Sequence, residues 1–235
     1  MTNSPARFLP PGLEPGRVIH CVGLVSDTHL PERCAALPPA LFDVLAGVDL
    51  ILHAGDVGEL RVLDELSALG APVVAVHGND ETDEARRELP YQQIVSVAGM
   101  RLLLTHAHYP DRAEELASRT DDAWEPKLAR RAKMGKSAGA TIVVFGHTHV
   151  PMAHSFDDVL LVNPGALASP NAVTRQAVRT VARLYVRDDG AAFVTHVDLA
   201  RPHEPFLPRV VWEEGFARAH ARFTAPLEAA PQKCS

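Results

Sequence analysis

The chain has 235 residues, of which 46% are hydrophobic and 22% charged, and a formal net charge of −6. That length and balance fit one globular domain with a substantial core. A net negative charge without a basic block argues against broad electrostatic binding to nucleic acid, and no apolar run reaches the roughly 18 residues of a membrane-crossing helix. Cys21, Cys34 and Cys234 are odd in number and scattered, which argues for reduced thiols over a disulfide framework. Residues 1–16 carry prolines and no signal-peptide core. They read as a flexible lead, and the expected compartment is the cytoplasm.

In chain order, Arg17–Val25 is rich in β-formers and predicts the first strand. Pro38–Ala46 has helical spacing through Leu41, Phe42 and Leu45, and Asp49–Leu52 predicts a short buried strand. Leu60, Leu63, Leu66 and Leu69 recur at helical intervals over Glu59–Leu69, which Gly70 and Pro72 end. Pro72–His77 is the next strand. The β-α-β-α-β order implies parallel pairing through right-handed crossovers. The rhythm then changes, and Gln92–Ala98 and Met100–Thr105 flank Gly99 as a hairpin. Tyr109–Gly139 is polar and charged, with a helix expected over Glu125–Ser137, and Thr141–Phe145 is a strand. Ala153–Asp157 and Val159–Val162 predict a hairpin about Asp158. Ala177–Val186 and Ala191–Asp198 predict another, turning at Asp188-Asp189-Gly190. The fold expected is α/β: one domain over 17–200, with two packed sheets and helices outside. Residues 201–235 read as a C-terminal extension with a short helix over Val211–Arg222. Its apolar positions, among them Phe206, Leu207 and Trp212, offer packing to the body or to a second copy of the chain.

Five of the predicted strands stop at residues that bind metals. Val18–Ser26 runs into Asp27-Thr28-His29, Val48–Gly55 into Asp56, and Pro72–Gly78 into Asn79-Asp80. Leu102–Thr105 runs into His106-Ala107-His108, and Thr141–Gly146 into His147-Thr148-His149. Ligands of open α/β sheets bind outside the carboxyl ends of the strands, so five such ends describe one site. Residues i and i+2 of an extended chain point the same way, which lets Asp27 with His29, and His147 with His149, each embrace one ion. Gly55 before Asp56 allows close backbone approach. The amide oxygen of Asn79 suits a hard or borderline cation without adding charge. His53 reads as a hydrogen-bonding support or a satisfied core histidine. Seven groups (Asp27, His29, Asp56, Asn79, His106, His147 and His149) are too many for one tetrahedral ion. With Asp56 shared they supply two sites of four, and two cations about 3.5–4 Å apart form the usual clamp for displacement at phosphorus. Oxygen and nitrogen ligation of this kind favours manganese, with zinc, iron or nickel as alternatives.

These residues, in this order, resemble the calcineurin-like metallophosphoesterases, whose pattern runs D-x-H, G-D, G-N-(H/D), H and G-H-x-H. Ser26-Asp27-Thr28-His29, His53-Ala54-Gly55-Asp56, Thr105-His106-Ala107-His108 and Asn163-Pro164-Gly165 look most like the small bacterial and archaeal phosphodiesterase branch. That branch is also similar to the retromer scaffold subunit of eukaryotes. The resemblance implies a four-layer α-β-β-α fold, in which helices sandwich two mixed β-sheets. It implies one metal on Asp27, His29, Asp56 and His149, and a second on Asp56, Asn79, His106 and His147. It further implies hydrolysis of a small phosphate ester, a phosphodiester before a monoester, by water activated between the cations. Asp80 stands where larger members carry a histidine. An aspartate is a poor acid at neutral pH, so Asp80 is expected to orient water or hold a histidine, and His108 or solvent to donate the proton. The alternatives are a non-catalytic interaction module on the same fold, a phosphomonoesterase, or a nuclease of the same superfamily. Tyr109–Gly139 leaves directly from His106 and His108 and is expected either to rim the site or to form a solvated helix.

Overall fold

In a computed structural model of the chain, the described residues are 9, 13–14, 17–120, 124–168 and 178–208. The expected helix over Val211–Arg222 and most of the expected lead lie outside them. Leu13 is buried and Leu9 packs on the same apolar cluster. No helix among the described residues is long and apolar enough to cross a membrane.

β-Branched and leucine-rich runs form the strands. β1 (Val18–Val25), β2 (Leu50–His53) and β3 (Val73–Ala75) lie parallel, with Val22 opposite Leu50 and Ile51 opposite Val73. The intervening helices α1 (Pro39–Leu45) and α2 (Arg61–Ser67) are the two crossovers read from the leucine spacing. Further on, β4 (Gln92–Val97) and β5 (Met100–Thr105) form the antiparallel hairpin about Gly99. Next, β6 (Ile142–Phe145) lies parallel to β5, and β7 (Met152–Phe156) and β8 (Val159–Asn163) form the hairpin at Asp157-Asp158. Finally, β9 (Thr180–Arg187) and β10 (Ala192–Asp198) pair antiparallel about the Asp188-Asp189-Gly190 turn.

The strands make two mixed sheets, in the orders β10-β9-β1-β2-β3 and β4-β5-β6-β8-β7. Alternation along each strand decides which residues meet between the sheets. Val22 and Leu24 of β1, Leu52 of β2, Leu102 and Leu104 of β5, Val144 of β6 and Leu184 of β9 share the inter-sheet core. The opposite face of the first sheet packs on Leu41, Val44 and Leu45 of α1 and Val62 and Leu66 of α2. The outer face of the second packs Leu103, Val143, Phe145 and Leu161 against Leu128 and Ala132 of α5 (Trp124–Ser137). Each such aliphatic side chain contributes roughly 1.5–3 kcal/mol by leaving water. The expected order of helix, sheet, sheet and helix is the one observed.

Two short helices escaped the sequence reading. α3 (Asp83–Glu88) is capped by Thr82, whose hydroxyl accepts the Ala85 N–H at 3.1 Å. α4 (Arg112–Thr120) starts at Asp111, whose carboxylate accepts the Ala113 and Glu114 N–H groups, each at 2.9 Å. Both have cap residues of the right type but are short and rich in charge.

The fold also buries His196 of β10. Its Nε2–H donates to the Asn163 carbonyl at 2.7 Å, while its Nδ1 is buried without a partner among the described residues. Burial therefore pushes its pKa down to about 4, against the partial offset of the bond to Asn163. As pH falls, the unfolded chain takes up this proton first. The contribution of His196 to stability is thus complete above pH 6.5 and is lost as pH drops from there toward 4, about 3 kcal/mol in all. In urea unfolding at pH 7 and pH 4.5, His196→Gln should lose less stability than the wild type over the same interval. Parallel losses would refute this origin of acid sensitivity.

Candidate metal centre

The parallel strands β1, β2 and β3 of one sheet and β5 and β6 of the other end at the same rim. Backbone bonds stitch the loops there, from Asp27 N–H to the Gly55 carbonyl and from His29 N–H to the Asp56 carbonyl, both at 3.0 Å. Asp27, His29, Asp56, His147 and His149 all sit at positive φ, between 46° and 71°. Left-handed backbone is costly outside glycine and persists where surroundings over-determine it.

Two groupings of buried ligand atoms result. Asp27, His29 and His149 form one, and Asp27, Asp56 and His106 the other, with donor atoms inside 4.8 Å of each other. His149 Nε2 is 3.2 Å from Asp27 Oδ1 and 3.3 Å from His29 Nε2. Asp56 Oδ2 is 3.2 Å from His106 Nε2 and 3.4 Å from His29 Nε2, so this carboxylate faces both clusters. His106 donates through Nδ1 to the Ala54 carbonyl at 2.8 Å, which makes Nε2 the ring atom that faces the cluster. Asn79 Oδ1 is buried and has no hydrogen-bond partner among the described residues. A buried amide oxygen left in that state is unfavourable unless a donor or a cation meets it. A carbonyl-type oxygen, two carboxylates and imidazole nitrogens, with no ammonium or guanidinium among them, fit a divalent cation.

The charges agree. Burial opposes ionisation of Asp27, but His149, His106 and His29 around it win, and its carboxyl stays well below the usual carboxylate range. Asp56 behaves alike, with His106 the strongest favourable neighbour. Burial alone would depress His106, yet Asp56 and then Asp27 raise it to about 9.

Other expected residues lie at the edges of the cluster. His147 donates its backbone N–H to both Asp27 oxygens at 3.1 Å, and its ring lies 5.2 Å from that of His106. His147 falls outside the two groupings, and its Nε2 meets Glu115 Oε1 at 3.0 Å. Asp80 donates its backbone N–H to Asp56 Oδ1 at 2.8 Å. Its carboxylate bonds Arg33 at 2.5 Å and lies 3.4 Å from His29 Nδ1. His108 packs edge-on against Tyr91 with ring centroids 5.0 Å apart. Burial, reinforced by His106 and His147, pushes its pKa down to about 3, so its imidazole is neutral. His53 is fully buried and bonds the Thr28 hydroxyl at 2.6 Å, between Asp27 and His29 of the first motif.

Three supports were not read from the sequence. Glu81 accepts the N–H groups of Val57, Gly58 and Gly78 at 2.9–3.0 Å, tying the Asp56 loop to the Asn79 loop. Asn163 donates to the Gly146 carbonyl at 2.8 Å and to the Thr148 hydroxyl at 3.1 Å, and so braces the loop that carries His147 and His149. Glu115 comes from α4. Only Asn163 had a sequence signal, the Asn-Pro-Gly that follows its strand.

The chain belongs to the calcineurin-like phosphoesterase superfamily, whose domain model matches residues 21–189. A probable metallophosphoesterase of Methanocaldococcus jannaschii is 35% identical over 169 residues, covering 71% of this chain and 76% of its own. A phosphodiesterase of the same organism is 26% identical over 157 residues, covering 61% of this chain and 82% of its own. Vacuolar protein sorting 29 from Cryptosporidium parvum shares the fold, with a TM-score of 0.58 at 19% identity, over 76% of this chain and 97% of that one.

Two glycines show how tightly the centre is drawn. A Cβ on Gly78 would fall far inside contact distance of Asp56 Oδ1, and one on Gly146 would lie 2.6 Å from the Ala54 carbonyl and 2.9 Å from Asp27 Oδ2. Gly78→Ala should therefore displace Asp56 and weaken cation uptake at least about 10-fold, with the circular dichroism of the fold retained. Unaltered uptake in a calorimetric titration would show that the loop has slack.

Proposed function

We propose that this metallophosphoesterase-family chain hydrolyses small phosphodiesters at a centre of two divalent cations. The observation that carries the reading is Asp56, a buried carboxylate whose Oδ2 lies 3.4 Å from His29 Nε2 and 3.2 Å from His106 Nε2. In this reading Asp27, His29, Asp56 and His149 hold one cation, and Asp56, Asn79, His106 and His147 hold the second. Manganese is the first choice on ligand chemistry, with zinc, iron or nickel as alternatives. When bound, such a pair supplies Lewis acidity toward phosphoryl oxygens and acidifies water near neutral pH.

The chain's own residues do the rest. The bond from His106 Nδ1 to the Ala54 carbonyl keeps its Nε2 as the donor atom. Asp80 works through His29, where a carboxylate opposite Nδ1 favours the tautomer with its lone pair on Nε2. Its pairing with Arg33 offsets a charge that would otherwise repel an anionic ester. A diester, with one negative charge fewer than a monoester, suits this arrangement, and a phosphodiesterase stands among the relatives. His108, neutral and packed beside His106, serves the leaving-group side as a hydrogen-bond donor, with solvent completing the proton transfer.

Hydrolysis of bis(p-nitrophenyl) phosphate, with manganese and with a chelator, tests the reading. Turnover should require the metal, and Asp56→Ala should lose bound metal and roughly 100-fold or more in kcat. Turnover that survives chelation, or Asp56→Ala with full metal content and activity, would reject it. Bound metal without turnover on any ester would favour a non-catalytic interaction role. Arg33→Ala, which uncovers the Asp80 charge, should raise KM for this anionic diester several-fold at unchanged metal content; an unchanged KM would remove Arg33 from substrate attraction.

A further inference from the structure

Helix α4 is built the wrong way round for a surface helix. Among its described side chains it buries an acid and exposes a leucine, with Glu115 at 2% exposure and Leu116 at 48%. Taking a carboxylate out of water costs several kcal/mol unless partners compensate. Glu115 has them. Oε1 meets His147 Nε2 at 3.0 Å, and Oε2 accepts the Tyr109 N–H at 3.0 Å. The second bond pins the chain one residue beyond His108, so α4 is locked between two of the strand-end loops. Arg130 of α5 reinforces the same place by donating to the Ala107 and His108 carbonyls at 2.9 and 3.1 Å.

We propose that Glu115 is a positioning residue for the metal centre, its carboxylate fixing the orientation and tautomer of His147. An imidazole that donates Nε2–H to a carboxylate keeps its lone pair on Nδ1, which becomes the atom offered to a cation. Carboxylate, histidine and metal in series make the histidine a stronger ligand and hold its ring still. The inference rests on the dinuclear reading, and it adds that α4 completes the second cation's site instead of merely bordering it.

Calorimetric titration of the metal-stripped full chain with manganese tests this, alongside metal content by mass spectrometry. The wild type should take up two cations. Glu115→Gln, which keeps the shape and loses the charge, and Glu115→Ala should bind one cation as before and the other roughly 10- to 100-fold more weakly. Adding Glu115→Ala to His147→Ala should cost nothing further in affinity, an outcome that a purely structural role would not produce. If Glu115→Ala does not fold, the Gln variant carries the same comparison. Two cations bound by the wild type and by both variants with equal affinity would overturn the role of Glu115 alone. A wild type that binds no second cation would instead overturn the dinuclear reading on which it stands.

Discussion

Two carboxylates, Asp27 and Asp56, are buried in one cluster, at 0% and 3% exposure, and both stay ionised. Much of the local architecture answers that single electrostatic constraint. Backbone N–H groups of His147 and Asp80 donate to them, and imidazoles from three loops surround them. An uncompensated charge pair of like sign at this depth would be expelled or protonated. The polar ends of five strands therefore have to meet, and the two sheets can stack only in a way that lets them.

That meeting explains why the fold, and the candidate residues gathered at its strand ends, were legible from the chain. Strand ends sit where apolar runs stop, and the residues at those stops were Asp, His and Asn in a fixed order. The crossover helices α1 and α2 had leucine spacing to betray them. The hairpins at Gly99, Asp158 and Gly190 had turn residues between alternating strands. Local pattern and global packing point the same way at these places.

What stayed hidden has no local pattern. α3 and α4 are short and charged and are closed by caps, and α4 is further held by the buried Glu115. Glu81 and Glu115 look in sequence like ordinary surface glutamates, yet each closes a gap between loops remote along the chain. His196 gave no hint that β10 would bring it beneath Asn163. Side chains that face the centre announce themselves by residue type at a strand end; those that aim them became visible only with coordinates.

The left-handed backbone at Asp27, His29, Asp56, His147 and His149 also bears on how an ion would arrive. Each such position outside glycine carries roughly 1 kcal/mol or more of conformational disfavour, and that cost is already met by folding. An arriving ion would find its loops bent in advance and would have little rearrangement to drive. The shape of the cage would then be dictated by the polypeptide and not by its guest.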